Sequence, residues 1–112
     1  MTPYGARSIE LIVDHEVVRA CLILARRNDA DIIRQIAQRH HFTLASRRHL
    51  KALQQYRPQI ADEGTIVALG VEPGEMPGAS DPLFLGFGGR ISPDSFAENY
   101  LYLLIANQSS SW

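Results

Sequence analysis

The chain has 112 residues, of which 46% are apolar and 21% charged, and it carries a net charge of −1. Such a length fits one domain with its own core and no need of disulfides or a structural metal, and the composition excludes an intrinsically disordered chain. No run approaches the roughly 18 apolar residues of a membrane span, so no membrane partner is expected.

The near-zero net charge hides an asymmetry. Residues 1–60 hold ten Arg/Lys against five Asp/Glu, and residues 61–112 hold one Arg against seven acids. All four histidines, His15, His40, His41 and His49, lie in the basic half. A split of this kind suits an anion-facing surface, or two halves that face each other. The first residues lead into a mixed segment with acids, not an apolar secretory core, so a cytoplasmic location is expected. The domain is expected to fill 1–112, with 1–7 and 108–112 as flexible tails.

In chain order, Ile9, Leu11 and Val13 alternate with other residues and predict a strand over 8–14. Residues 17–25 are apolar almost throughout. Periodicity alone leaves them open between a buried strand and a buried helix, and a hairpin turning near Asp14 and His15 is favoured. Ile32, Ile33, Ile36 and Ala37 predict a helix over 29–41, with Asn28 or Asp29 as its cap. A second helix is predicted over 45–57, with Leu50, Leu53 and Tyr56 inward and Pro58 beyond its end. Strands follow at 65–71 and 82–87, separated by a long loop over 72–81 that carries acids and Met76. Ser92, Pro93 and Asp94 give a helix-start signal, and a last helix is predicted over 93–107.

The fold expected is therefore α+β: a mainly antiparallel sheet with about three helices packed on one face. The alternative is a winged-helix-like layout, with a helical front end and a β-hairpin behind it.

Residues 36–53 resemble a bacterial helix-turn-helix, with a short join and a basic second helix ending in Arg48, His49, Leu50, Lys51, Ala52 and Leu53. The frame departs from that pattern. With Ala37 as the buried alanine, the tight-turn position falls on His41 where glycine is usual, and an apolar position falls on Arg47. The resemblance implies nucleic-acid contacts from Arg34, Arg39, Arg47, Arg48 and Lys51. Residues 35–44 are also similar to the helix-then-strand passage of serine recombinase catalytic domains. The nucleophilic serine and arginines expected after the first strand are missing, which argues against that chemistry.

No catalytic or cofactor motif emerges. Cys21 sits in an apolar run and reads as a buried structural thiol. Neighbouring residues on a helix point about 100° apart, so His40 and His41 do not converge on one ion, and no metal is expected. Asp14, His15 and Glu16, the pair Asp62 and Glu63, and Ser46 beside His49 hold acid–base or nucleophilic groups, each with an ordinary turn or cap role. Gly86, Gly88 and Gly89 lack the lysine and hydroxyl of a phosphate loop.

The last predicted helix is apolar over most of its circumference. Such a helix must be deeply buried or must meet another subunit. Phe96, Tyr100, Leu101 and Leu104 are accordingly expected at a homodimer interface. The leading functional expectation is a small, non-catalytic, self-associating interaction or regulatory domain. The alternatives are a nucleic-acid-binding protein using the helix pair 29–57, and a small-molecule-binding domain or small enzyme with a pocket between sheet and helices.

Overall fold

The computed structural model describes residues 5–70, 82–86, 89–92, 95 and 97–111. β1 (Arg7–Val13) and β2 (Glu16–Arg26) form an antiparallel hairpin with Val13 opposite Glu16 and Arg7 opposite Leu22. Asp14 and His15 make the turn with φ of 51° and 68°. Two positive φ values are the signature of a type I′ turn, which suits the twist of a hairpin. The hairpin reading of 17–25 thus holds, and the helical front end of the winged-helix alternative is absent. Asp and His tolerate the left-handed region better than most residues, so the turn forms without Asn-Gly.

α1 (Ala30–Arg39) follows and buries Ile33, Ile36 and Ala37. Its end is a Schellman motif: the Phe42 N–H donates to the Ala37 carbonyl, and His41 takes a φ of 61°. That reversal leads into the two-residue β3 (Thr43–Leu44). α2 (Arg47–Tyr56) starts at once, with Ser46 and His49 forming a reciprocal capping box. A 3₁₀ turn (Pro58–Asp62) leads to β4 (Thr65–Ala68), and then come β5 (Leu83–Leu85), β6 (Ile91–Ser92) and β7 (Asn99–Ile105).

The described strands form one seven-stranded sheet in the order β1-β2-β7-β4-β5-β6, with β3 also paired to β7. All pairings are antiparallel except β4 with β7. β2 lies along one side of β7. On the other side, β4 pairs with residues 100–102 and β3 with residues 104 and 105.

The fold is thus α+β with a mostly antiparallel sheet, as expected, but the helical layer differs. Two α-helices are present among the described residues, and they cover opposite faces. On one face Ile9, Leu11, Leu22, Leu103 and Ile105 pack against Leu50 and Leu53 of α2. On the other, Cys21, Ile23, Tyr102 and Leu104 pack against Ile33 and Ile36 of α1.

The helix predicted over 93–107 is corrected: residues 99–105 are β7, the central strand. Leu101, Leu103 and Ile105 serve the α2 face, and Tyr100, Tyr102 and Leu104 serve the α1 face. A strand buried on both sides must be apolar at every position, so it loses the period of two that betrays a half-buried strand. The six such residues from Tyr100 to Ile105 then imitate a helix that is apolar all round.

Two tests follow. Leu103 and Leu104 are each 1% exposed on opposite faces. Leu103→Ala and Leu104→Ala should each lower unfolding stability by about 2–5 kcal/mol in urea titrations. A cost below about 1 kcal/mol for either would show one face uncovered. Asp14→Asn with His15→Gly installs the residues a type I′ turn prefers and should raise the urea midpoint without changing the slope. A lower midpoint would contradict the turn assigned.

Candidate functional site

The five cations expected to contact nucleic acid do not form one surface. Arg34 and Arg39 lie on α1, and Arg47, Arg48 and Lys51 lie on α2, across the sheet. The two helices therefore do not assemble as a helix-turn-helix. Arg34 is paired with Asp31 one turn earlier at 2.9 Å. Arg39 borders a shallow depression with Ile32, Gln35 and Ile36 on the outer side of α1.

On the α2 side the cations gain a partner that sequence gave no reason to include. Arg47, Lys51 and Gln54 line an open groove with Gly89, Arg90 and Ile91. Arg90 is the only cation of the acidic half, and the β5–β6 connection carries it to the helix. The Gln54 side-chain amide donates to the Gly89 carbonyl and holds that connection against α2. The groove measures 580 Å³, and its described lining residues include three cations and no carboxylate.

Lys51 also belongs to an adjoining depression of 370 Å³ at the hairpin turn, shared with Ile12, His15, Arg48, Gln55 and Tyr56. Asp14 is the acid there, 3.6 Å from Arg48. Tyr56, expected in the inner stripe of α2, is 49% exposed. The inner stripe is instead completed by His49 and Ala52, alongside Leu50 and Leu53.

A cleft of 650 Å³ lies between the β1–β2 hairpin and the segment after β7. Arg7, Arg19 and Arg57 border it, together with Glu10, Phe42 and Asn107. Its charges are partly spent: Arg7 pairs with Glu63, and the Arg57 Nε donates to the Glu10 carbonyl at 3.1 Å. The segment after β7, expected as a tail, is tied to the end of α1. The Asn107 amide and the Ser110 hydroxyl donate to the His41 carbonyl at 2.9 and 2.7 Å, and the Ser111 N–H donates to His40 O.

The remaining candidates have structural roles in this arrangement. Ser46 and His49 are 4% and 5% exposed. The Ser46 N–H donates to His49 Nδ1 at 2.9 Å, so the nitrogen facing the hydroxyl is already engaged and cannot act as its base. Among the described residues, no three His, Cys, Asp or Glu are grouped to hold a metal ion. Tyr100 and Leu104, expected at a homodimer interface, are 4% and 1% exposed within the chain's own core. Leu101 packs against that core, and Phe96 and the loop over 72–81 lie outside the described residues. No helix among the described residues is long and apolar enough to cross a membrane.

No protein-family model, curated protein or solved structure matches this chain.

Burial pushes the Cys21 thiol up to about 11. Burial, and after it Asp29 and Tyr100, push the Tyr102 phenol up to about 12, against a smaller opposing pull from Arg34. Both groups stay neutral in the fold at a pH where the unfolded chain has begun to ionise them. Stability from this source is therefore complete below pH 8.5–9, roughly the free thiol value, and is lost as pH rises toward 11 and beyond. Urea midpoints measured from pH 7 to 11 should fall above pH 9, and Cys21→Ala should flatten the first part of that fall. Parallel curves for the two proteins would refute the assignment.

Proposed function

We propose that this protein is a non-catalytic binding module that takes a nucleic acid on the outer face of α2. One observation carries the reading: Arg47 and Lys51 of α2 and Arg90 of the β5–β6 connection line one groove, and none of its described lining residues is a carboxylate. Like charges gathered without counter-charge repel one another and favour the folded state little. A polyanion laid in the groove removes that repulsion and releases its own condensed counterions. The groove is open and shallow, which suits a chain running across a surface better than a small molecule enclosed on most sides.

The self-associating reading drew on a helix over 93–107 apolar over most of its circumference, and β7 takes that support away. The small-molecule reading would use the 650 Å³ cleft, where Glu10 and the Arg7–Glu63 pair offset part of the cationic charge. Among the described residues, no such offset lines the groove of Arg47, Lys51 and Arg90.

The experiment is fluorescence anisotropy with a labelled oligonucleotide. Three phosphate contacts predict that affinity drops by about 40-fold between 50 and 200 mM salt for a duplex, and by somewhat less for a single strand. Arg47→Glu with Lys51→Glu and Arg90→Glu should abolish binding at 50 mM salt. Arg34→Glu with Arg39→Glu, on the opposite face, should leave it unchanged. Equal losses from both sets, or no binding by the wild type at 50 mM salt, would overturn the proposal.

A further inference from the structure

We infer that the nucleic acid this face accepts is single-stranded, held by phosphate contacts in the Arg47–Lys51–Arg90 groove and by a base stacked on Tyr56. The inference rests on the nucleic-acid reading of α2 and adds the form of the ligand.

The two depressions on this side of the molecule meet at Lys51, which lines both. Together they make one track along α2. From Arg47 to Tyr56 the helix rises about 14 Å, enough for a few nucleotides. One end of the track is cationic, with Arg47 and Arg90. The other end is mixed: Tyr56 is 49% exposed, Ile12 is 43% exposed, and Arg48, His15 and Gln55 surround them.

An aromatic ring left half in water on a helix is out of place for packing alone. Leu53, one turn before Tyr56, is completely buried, and Tyr56 does not join it. A ring flanked by cations is the arrangement by which proteins hold unpaired bases, because every base offers a flat face and the phosphates on either side need positive charge. In a duplex the base faces are stacked on one another and are not offered to a side chain. The acid on the track, Asp14, lies beside Arg48 at the hairpin end, not within the cationic groove. It leaves the phosphate contacts at Arg47, Lys51 and Arg90 intact while weakening the pull on phosphates beside Tyr56. The ring is thus the principal source of affinity at that end.

The test compares a labelled thymidine 12-mer with a 12-base-pair duplex at 50 mM salt, by anisotropy, on the full chain. The single strand should bind more tightly. Tyr56→Ala should weaken single-strand binding by between about five- and a hundredfold and leave duplex binding unchanged. Tyr56→Phe and Tyr56→Trp keep a ring and should retain single-strand affinity, which separates stacking from a loss of folding. Equal affinity for both ligands with no effect of Tyr56→Ala would overturn the inference. In that case the triple charge reversal would still abolish binding, and the broader reading would stand. Binding of neither ligand by the wild type would overturn both.

Discussion

Every layer of this molecule is laid on β7. It is paired along one side by β2 and along the other by β4 and β3, so its backbone groups are engaged in both directions. Its side chains alternate between the two cores, and five of its seven residues are buried. From Tyr100 to Ile105 every side chain turns toward one of the two cores. Burying each large side chain contributes about 1.5–3 kcal/mol, and a polar group in its place would need a partner that neither core offers. Tyr102 shows how a polar atom is accommodated: its hydroxyl reaches the edge of the core and donates to the Arg26 carbonyl at 2.7 Å. Tyr100 stands edge-on to it at 5.9 Å and tilts against Phe84 at 5.2 Å, which extends the α1-side core to β5.

With β7 in the middle, each helix has its own face to cover, and the chain must cross the sheet between them. It does so within residues 40–46. His41 reverses the chain at the end of α1, β3 adds two residues alongside β7, and Ser46 starts α2 on the far side. The crossing is tight. The Gly70 N–H donates to the Ala45 carbonyl at 2.7 Å, and a Cβ at Gly70 would stand 2.5 Å from the Leu44 carbonyl oxygen. No larger residue fits there without moving the β3 backbone. On the outside, the hydrogen bonds from Asn107 and Ser110 satisfy the His41 carbonyl, so the segment after β7 closes the same corner.

Much of this was legible in the sequence, and the exceptions share a cause. β1, both helices and the strands at 65 and 83 follow from local period and turn chemistry, whereas 17–25, buried on both faces at 20–23, stays open between strand and helix with a hairpin only favoured. What was not legible was anything set by burial on two sides. Residues 99–105 read as a helix because double burial erases the period of two. The number of helices and their placement on one face went wrong with it, and so did the argument for a dimer through Tyr100 and Leu104. At the candidate site, Arg47, Arg48 and Lys51 were visible as a basic helix. Arg90 was not, because it stands alone among acids in sequence and reaches α2 only through β6. Tyr56 misled for a simpler reason: helical spacing placed it beside Leu53, but it is the last residue of α2 and stands half exposed beside the buried Leu53.

The charge asymmetry of the chain acquires a different meaning from this geometry. Five cations between residues 34 and 51 look like one basic surface only while the two helices are imagined side by side. The crossing at His41 sends two of them to the α1 face, where Arg34 is met by Asp31. The other three stay on α2, where the single cation of the acidic half joins them. There Arg48 is met by Asp14, while Arg47, Lys51 and Arg90 share a groove with no carboxylate among its described lining residues. A surface that merely kept the protein in solution would gain nothing from importing Arg90 and fixing its connection with Gln54. On the nucleic-acid reading proposed above, Arg90 would add a third phosphate contact from a second element, braced by Gln54 against the helix that supplies the first two.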